Sequence, residues 1–321
     1  MLTGFNVDFV TAIPSAELDR IVAASKMKGV RFQNWTGAFW MQRLSETLPI
    51  RGDWYSQAAP LAYCIDFANR HNLHGTFDLP YGMADYELQY ACELIEQTAE
   101  LPYSITEGGE MWNNNGRWRA HHMYYRTVAG GTGEVAAWRG YAARLRKLAC
   151  YAGQRANVFA NVQCMRPQIA DYLLNTLDIA GTVNTIAIAP YIAPPHRVPI
   201  TITESAETLL SKCFYDLENE VTPAIHAHAI LAQQHGINFM VYEANTHFIG
   251  NQPAIVAADK STEMLDLLRN LHYICDAAGA TQLYWYKLTS IYETASTTRF
   301  GLIQRTKDGQ TIHHPKSALL Y

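Results

Sequence analysis

The sequence predicts a single (β/α)8 barrel of the α/β class, and three observations support this prediction. Short runs of β-branched and aromatic residues alternate with longer amphipathic stretches that have helical spacing. Eight strand-like runs occur, and each is followed by a helix-like stretch or by the short terminal run PKSALL. No internal repeat, low-complexity tract or Pro/Gly/Ser linker interrupts the alternation. We therefore expect one domain over residues 1–321.

The individual elements follow from this alternation. Strands are expected at residues 4–10, 30–34, 73–79, 103–107, 157–163, 185–191, 238–243 and 282–288. Helices are expected at residues 16–28, 59–72, 85–100, 134–153, 167–177, 207–235 and 262–278, and several end at a glycine that suits a helix C-cap. Residues 112–133 are expected to form a long loop. The alternative fold, a doubly wound sheet, is disfavoured because no glycine-rich phosphate loop follows the first strand.

Composition excludes several classes of protein. The 321 residues are 49% hydrophobic and 17% charged, with 25 basic against 29 acidic side chains. A disordered chain, a coiled coil or a nucleic-acid binder acting through bulk positive charge needs a different balance. We expect neither a signal peptide nor a membrane-spanning helix, and the six widely spaced cysteines are expected to be free thiols. A cytoplasmic location is the default, and an extracellular or particle-associated one stays open.

Two glutamates are the candidate catalytic residues. In a barrel of this type, chemistry is carried by the C-terminal ends of the strands and the loops that follow them. Glu110 follows the fourth strand in SITEGGEMWNNN, and Glu243 ends the seventh in FMVYEANTH. These two strands face each other across the barrel mouth. Paired carboxylates on opposite sides of a cleft are what cleavage of a glycosidic bond requires.

The motifs GGEMWN and VYEANTHF, together with IAPYIA around Tyr191, resemble the clan A glycoside hydrolases, which are retaining barrel enzymes. The resemblance implies hydrolysis of an oligosaccharide or polysaccharide, with Glu110 as acid/base and Glu243 as nucleophile, and without a cofactor. It also implies an arginine near the nucleophile, a ring that contacts it and an aromatic floor under the sugar. Arg31, Tyr191 and Trp285 are the residues expected in these three places.

One position departs from the clan pattern. Clan members usually carry Asn directly before the acid/base, where it binds the sugar 2-hydroxyl, but this chain has Gly109. We hypothesise that Asn113, Asn245 or Gln163 replaces it, or that the sugar lacks a free 2-hydroxyl. Glu107 is expected to orient a neighbour. The full set expected to bind substrate is Arg31, Asp78, Trp112, Asn113, Gln163, Tyr191, Asn245, His247 and Trp285.

Metal chemistry is not expected. His226 and His228 are two residues apart in a predicted helix, so their side chains point away from each other, and no strand carries an H-x-H motif. The expected partner is a carbohydrate, with no nucleic acid or membrane partner, and the oligomeric state stays open. Two alternatives also stay open: a non-catalytic carbohydrate-binding barrel with a degenerate site, and a metal-dependent barrel hydrolase.

Overall fold

The fold comes from a computed structural model, which describes residues 1–6, 15–33, 61–112, 118–193, 204–248, 252–286, 288–291, 301–305, 311–312 and 314–321. The strands are β1 (Leu2–Asn6), β2 (Gly29–Phe32), β3 (His74–Leu79), β4 (Tyr103–Glu107), β5 (Ala156–Asn161), β6 (Thr185–Ile188), β7 (Tyr191–Ile192), β8 (Asn238–Thr246), β9 (Gln282–Trp285), β10 (Thr289–Ile291), β11 (Ile303–Arg305) and β12 (Thr311–Ile312).

The α-helices are α1 (Ser15–Ala24), α2 (Leu61–Arg70), α3 (Asp85–Thr98), α4 (Trp118–Val128), α5 (Gly133–Tyr151), α6 (Pro167–Asp171), α7 (Ala206–Asp216), α8 (Thr222–Gln234), α9 (Pro253–Asp259) and α10 (Thr262–Ala277). Two π-helical turns, Tyr172–Thr176 and Leu217–Val221, extend α6 and join α7 to α8. A 3-10 helix, Pro315–Leu319, follows β12. Within the described ranges, no helix combines the length and the apolar character that crossing a membrane requires.

Eight parallel strands close into a barrel. They are β1 to β6, β8 and β9, and the ring closes because β1 pairs with β9 while β6 pairs with β8. The short strand β7 continues the sixth position and pairs with the end of β8. The predicted (β/α)8 class is confirmed, and each predicted strand corresponds to one barrel strand. The assignment of residues 1–321 to one domain stays a prediction.

The predicted loop at residues 112–133 is partly wrong, because α4 lies within it. Its buried residues His121 and Tyr125 recur at helical spacing, and the helix packs closely on α5. The contact requires glycine at position 140, where a Cβ atom would lie 1.8 Å from the backbone oxygen of Tyr125. The aromatic and basic composition of the segment hid this apolar face from the sequence prediction.

Buried apolar side chains separate into two clusters. The larger cluster lies between the strands and the surrounding helices. The smaller one fills the barrel lumen and consists of Phe159, Ala187, Met240, Tyr242 and Tyr284. Side chains alternate along a strand, so a residue's parity decides which cluster it joins.

Polar side chains surround Tyr284 toward the N-terminal ends of the barrel strands. Tyr284 covers Gly4 and Gly29, where an added Cβ would lie within 2.6 and 3.0 Å of its ring. Its hydroxyl accepts from Thr76 at 2.7 Å and donates to Gln282 at 3.1 Å. Below it, burial lowers the pKa of His74 to about 4, so the imidazole is neutral near pH 7. Tyr284 and its polar partners therefore fill this end of the lumen.

A buried ion cluster docks the 3-10 helix against α9. Lys316 and His314 both contact Asp259, His314 through Nε2 at 3.2 Å, and all three side chains are fully buried. Burial raises the pKa of Asp259, but the Lys316 charge and the contact with His314 outweigh it and hold this pKa below its usual value. The cluster therefore keeps Asp259 ionised in the protein interior.

Replacing Lys316 with methionine is expected to lower the free energy of unfolding by about 3–5 kcal/mol, because it leaves the buried Asp259 carboxylate without its main partner. Urea unfolding followed by tryptophan fluorescence measures the effect. Lys147→Met is the matched control, because Lys147 pairs with Asp85 at the exposed surface and its loss is expected to cost less than about 1 kcal/mol. Equal losses in the two variants would contradict the expectation.

Candidate active site

A β-bulge turns Glu243 toward the barrel interior. Val241 and Ala244 on β8 pair with Leu283 and Trp285 on β9, so two residues of β8 lie opposite Tyr284 alone. Tyr242 belongs to the lumen cluster, and the extra residue brings the following Glu243 side chain to the interior as well. Glu243 is 3% exposed. The local irregularity thus supplies a buried carboxylate at the mouth of the barrel.

Both carboxylate oxygens of Glu243 accept hydrogen bonds. Arg31 on β2 donates through Nη1 to Oε1 at 2.6 Å, and the Tyr191 hydroxyl donates to Oε2 at 2.7 Å. Tyr191 reaches this position because β7 pairs with the end of β8. Asp216, at the end of α7, accepts from the backbone N–H of Ala193 at 3.0 Å and anchors the segment after β7. The carboxylate is therefore fixed in orientation from two sides.

Arg31 is held by a second carboxylate. It donates to Asp78 on β3 through Nε at 3.1 Å and through Nη2, in the bidentate arrangement that suits a guanidinium. Burial raises the pKa of Glu243, while the Arg31 charge and the Tyr191 hydrogen bond lower it. Burial likewise raises the pKa of Asp78 against the opposing charge of Arg31. One buried cation thus stabilises two buried anions, which restricts how far either carboxylate pKa can rise.

The loop after β4 carries Glu110. Gly108 has φ of +70°, a conformation that favours glycine, and a side chain there would also meet the Tyr125 hydroxyl at 2.7 Å. Tyr125 on α4 donates through that hydroxyl to the backbone oxygen of Glu107 at 3.2 Å. Helix α4 therefore supports the turn from which half-buried Glu110 extends.

Glu110 borders a cavity of about 200 Å³ at the barrel mouth. Its lining consists of Glu110, Trp112, Gln163, Cys164, Met165, Ala189, Tyr191, Ala193 and His247. Tyr191 connects this cavity to Glu243, since its ring lines the cavity and its hydroxyl bonds the carboxylate. The charges of Glu243 and Glu110 add to burial in raising the pKa of Tyr191. Tyr191 therefore links the two predicted catalytic residues, since it contacts Glu243 and lines the same cavity as Glu110.

Four of the residues expected to bind substrate line this cavity: Trp112, Gln163, Tyr191 and His247. Arg31 contacts Glu243, and Asp78 contacts Arg31. Asn245 uses its side-chain amide to donate to the backbone oxygen of Tyr286 and its side-chain oxygen to accept from the N–H of Thr246. Asn113 lies outside the described residues. Substrate binding by each of these residues stays a prediction.

The structure does not bring Trp285 to the mouth. The residue belongs to the outer cluster and stacks on His272 of α10 at a centroid distance of 6.3 Å. The expectation of an aromatic floor at this position is wrong because the side chain has the parity of Leu283, which faces the helices. The next residue, Tyr286, lies edge-on to Tyr191 at 6.2 Å. The alternation of side chains along β9 is the signal that could have identified Tyr286, instead of Trp285, as the aromatic residue next to the site.

Glu107 also faces the helices. Its carboxylate accepts from Arg144 Nε on α5 at 2.8 Å and from the backbone N–H of Gly82 at 3.2 Å. Its contacts therefore tie β4 to α5 and to the loop after β3. In the described part of the chain, no group of three or more His, Cys, Asp or Glu side chains is placed to hold a metal ion.

Removing the Tyr191 hydroxyl is expected to make the activity more sensitive to acid. The hydrogen bond to Glu243 favours the ionised carboxylate, so Tyr191→Phe raises the pKa of Glu243 further above its ordinary value. The acid limb of the kcat/KM profile then moves to higher pH, and activity on that limb falls by about tenfold. A pH profile of both proteins measures this. An unchanged limb, or a shift to lower pH, would contradict the assigned role of Tyr191.

No family model matches the chain, and no curated protein sequence matches it. Solved structures do match. The GH51 arabinofuranosidase from Xanthomonas axonopodis pv. citri has a TM-score of 0.65 at 13% identity, over 98% of this chain and 68% of its own. A glycosylated GH10 endo-β-1,4-xylanase from Gloeophyllum trabeum has a TM-score of 0.59 at 9% identity, over 99% of this chain and 93% of its own.

A third match is an intracellular xylanase from Thermoanaerobacterium saccharolyticum in complex with xylotetraose. Its TM-score is 0.53 at 12% identity, over 99% of this chain and 94% of its own. The chain thus has the barrel fold of these glycoside hydrolases. The resemblance predicted from the motifs around Glu110 and Glu243 is confirmed as a likeness in fold.

Proposed function

We propose that the protein is a retaining glycoside hydrolase that cleaves an oligosaccharide or polysaccharide through two glutamates. Glu243 is the nucleophile and Glu110 is the general acid and base. The observation that carries the proposal is the geometry around Glu243, a buried carboxylate oriented by Arg31 and by the Tyr191 hydroxyl. Glu110 borders the cavity that Tyr191 also lines.

The two side chains suit the two steps of a double displacement. In the first step a Glu243 oxygen attacks the anomeric carbon, the bond to the leaving oxygen breaks, and that oxygen receives the Glu110 proton. In the second step Glu110 accepts a proton from water, the water oxygen attacks the anomeric carbon, and the bond to Glu243 breaks. The Arg31 charge lowers the pKa of Glu243 and so favours the carboxylate that attacks, and the half-buried Glu110 remains open to the leaving group and to water.

The lining of the cavity suits a carbohydrate. Trp112 and Tyr191 present aromatic surface, on which the C–H face of a sugar ring packs, while Gln163 and His247 offer polar contacts for hydroxyl groups. The fold neighbours include a xylanase in complex with xylotetraose and an arabinofuranosidase. Pentose-containing glycans are therefore the first substrates to test.

The proposal is tested by a substrate screen. The purified protein is incubated with xylotetraose and with 4-nitrophenyl glycosides of β-xylose, α-arabinofuranose, β-mannose and β-glucuronic acid. Proton NMR then records the anomeric configuration of the sugar at early times. We expect hydrolysis of at least one compound with retained configuration, which is the outcome of a double displacement.

Two outcomes would contradict the proposal. Inverted product would replace the double displacement with direct attack by water, which requires carboxyl groups about 6.5–9.5 Å apart. Binding of xylotetraose with no hydrolysis of any compound would instead support a non-catalytic carbohydrate-binding barrel. Calorimetry on the parent protein and on Glu243→Gln separates binding from turnover.

A further inference from the structure

The contact that Gly109 cannot make needs another donor. Of the three residues first expected to replace the clan Asn, Asn245 has its side chain bonded to Tyr286 and Thr246. Asn113 lies outside the described residues. Gln163 lines the cavity, but it is half-buried on the loop after β5. A buried donor that already faces the lumen is better placed for a contact that strengthens in the transition state.

Two such side chains are present in the lumen. Tyr242 and Asn161 are both 0% exposed. Within the described part of the chain, neither the Tyr242 hydroxyl nor either polar atom of the Asn161 amide has a hydrogen-bond partner. Leaving a buried polar group unpaired costs about 1–3 kcal/mol, so three unpaired atoms in one lumen point to a ligand that satisfies them.

Strand parity places both side chains around one space. Asn161 ends β5 two residues after Phe159, which is in the lumen cluster together with Tyr242. Strand β6 lies between β5 and β8 and contributes Ala187 to the lumen cluster, and Ala189, just after β6, packs against that cluster. Ala189 also lines the cavity that holds Glu110. Trp112 lines the cavity as well, and it too packs against the lumen cluster, so the cavity and the buried Tyr242 share two neighbouring side chains.

Tyr242 lies close to both proposed catalytic residues. It directly precedes Glu243, its ring lies under the Arg31 guanidinium at 4.5 Å, and it contacts the Trp112 ring at 6.3 Å. Burial raises the pKa of Tyr242, and the charges of Glu110 and then Glu243 raise it further. The phenol therefore stays protonated and is a hydrogen-bond donor. In a bound glycoside, the 2-hydroxyl is the ring hydroxyl next to the anomeric carbon that these carboxylates address.

We propose that Tyr242 and Asn161 bind ring hydroxyls of the sugar at the cleaved position, with the Tyr242 O–H donating to the 2-hydroxyl oxygen. This inference rests on the proposed glycosidase function. It assigns to the chain's own tyrosine the contact that clan members make through the Asn missing here at Gly109. The Asn161 amide, which both donates and accepts, binds a neighbouring hydroxyl.

The test combines one substitution with one change of substrate. Tyr242→Phe is assayed on 4-nitrophenyl β-xylopyranoside and 4-nitrophenyl α-arabinofuranoside, each with its 2-deoxy counterpart. We expect kcat/KM to fall by about tenfold to hundredfold on the 2-hydroxy compound and by less than about threefold on the 2-deoxy compound. Asn161→Leu is expected to lower kcat/KM on the 2-hydroxy and the 2-deoxy compounds alike, because the hydroxyl that Asn161 binds is present in both.

A thermal denaturation measurement separates substrate binding from a structural role. The hydroxyl removed by Tyr242→Phe has no partner among the described residues, so Tm is expected to stay the same or rise. Tyr284→Phe is the matched control, because the Tyr284 hydroxyl bonds Thr76 and Gln282 below the cavity. The Tm of that variant is expected to fall, while its kcat/KM is expected to stay the same.

The outcomes distinguish failure of the inference from failure of the proposed function. Parent activity with equal losses on the 2-hydroxy and 2-deoxy compounds, or with no loss in Tyr242→Phe, overturns the inference alone. A lower Tm with unchanged kcat/KM gives Tyr242 a structural role and overturns it as well. If the parent cleaves neither glycoside, calorimetry with xylotetraose decides. Binding that Tyr242→Phe weakens supports the subsite, while unaltered or absent binding overturns it.

Discussion

Replacing Glu243 with alanine is expected to reduce kcat by about 10⁴-fold or more, because the proposed covalent step loses its nucleophile. Sodium azide is expected to restore turnover by entering the space of the lost carboxylate and attacking the anomeric carbon directly. The product is then a glycosyl azide with inverted configuration. Steady-state kinetics and NMR of the azide product measure the two effects on the best substrate of the screen.

The same experiment assigns Glu110. In Glu110→Ala, we expect Glu243 still to form the proposed glycosyl-enzyme when the leaving group is a good one, and azide then to displace Glu243 and give a product with retained configuration. Glu93→Ala, which removes an exposed carboxylate on α3, is the control and is expected to match the parent. Retained azide product from Glu243→Ala, or inverted product from Glu110→Ala, would exchange or refute the two roles.

Replacing Arg31 with methionine is expected to lower the free energy of unfolding by about 3–5 kcal/mol and to remove nearly all activity. Asp78 is fully buried and Glu243 almost fully buried, and the substitution removes the cation that both contact. The pKa of Glu243 is then expected to rise further, which favours the neutral acid over the carboxylate that the proposed mechanism needs. Urea unfolding and kcat/KM measure the two losses.

The stability loss in Arg31→Met is expected to depend on pH. Both carboxylates then have pKa values above those of the unfolded chain, so the folded state binds more protons. The variant therefore gains stability relative to the parent as pH falls through the raised pKa values, and the deficit is largest above them. Arg31→Met with Asp78→Asn is the control, and it is expected to recover part of the stability. A deficit that is independent of pH would indicate lost packing alone.

The barrel could be predicted because it depends on local patterns that repeat. Each strand-like run is bounded by turn residues and followed by an amphipathic stretch, so the order of elements follows from neighbouring residues. Helix α4 was not predicted from the sequence, because the side chains on its inner face are mainly His121, Tyr124 and Tyr125 in a segment that is otherwise polar and basic. Such a face has little aliphatic signal, and packing on α5 stabilises it.

The contacts of the site could be predicted only in part. Strand ends identify Glu110 and Glu243 as neighbours of the barrel mouth, because parallel strands present their C-terminal ends on one face. The contacts of Arg31 with Asp78 and Glu243 join three strands at a given height in the barrel, which depends on register. Trp285 and Tyr286 differ by one position, and only the pairing of β9 shows which of them faces the site.

The bulge on β8 makes the spacing of the chain, as well as its chemistry, a requirement of the site. Side chains alternate along a regular strand, so the extra residue of the bulge changes which face of the sheet each later position of the sequence takes. Loss of a single residue between Val241 and Ala244 would remove the bulge, and β8 and β9 could then pair residue for residue. If Tyr242 were the residue lost, Glu243 would take the single position opposite Tyr284, where Tyr242 now joins the lumen cluster. Substitutions test the identity of each side chain, whereas this constraint responds only to insertions and deletions.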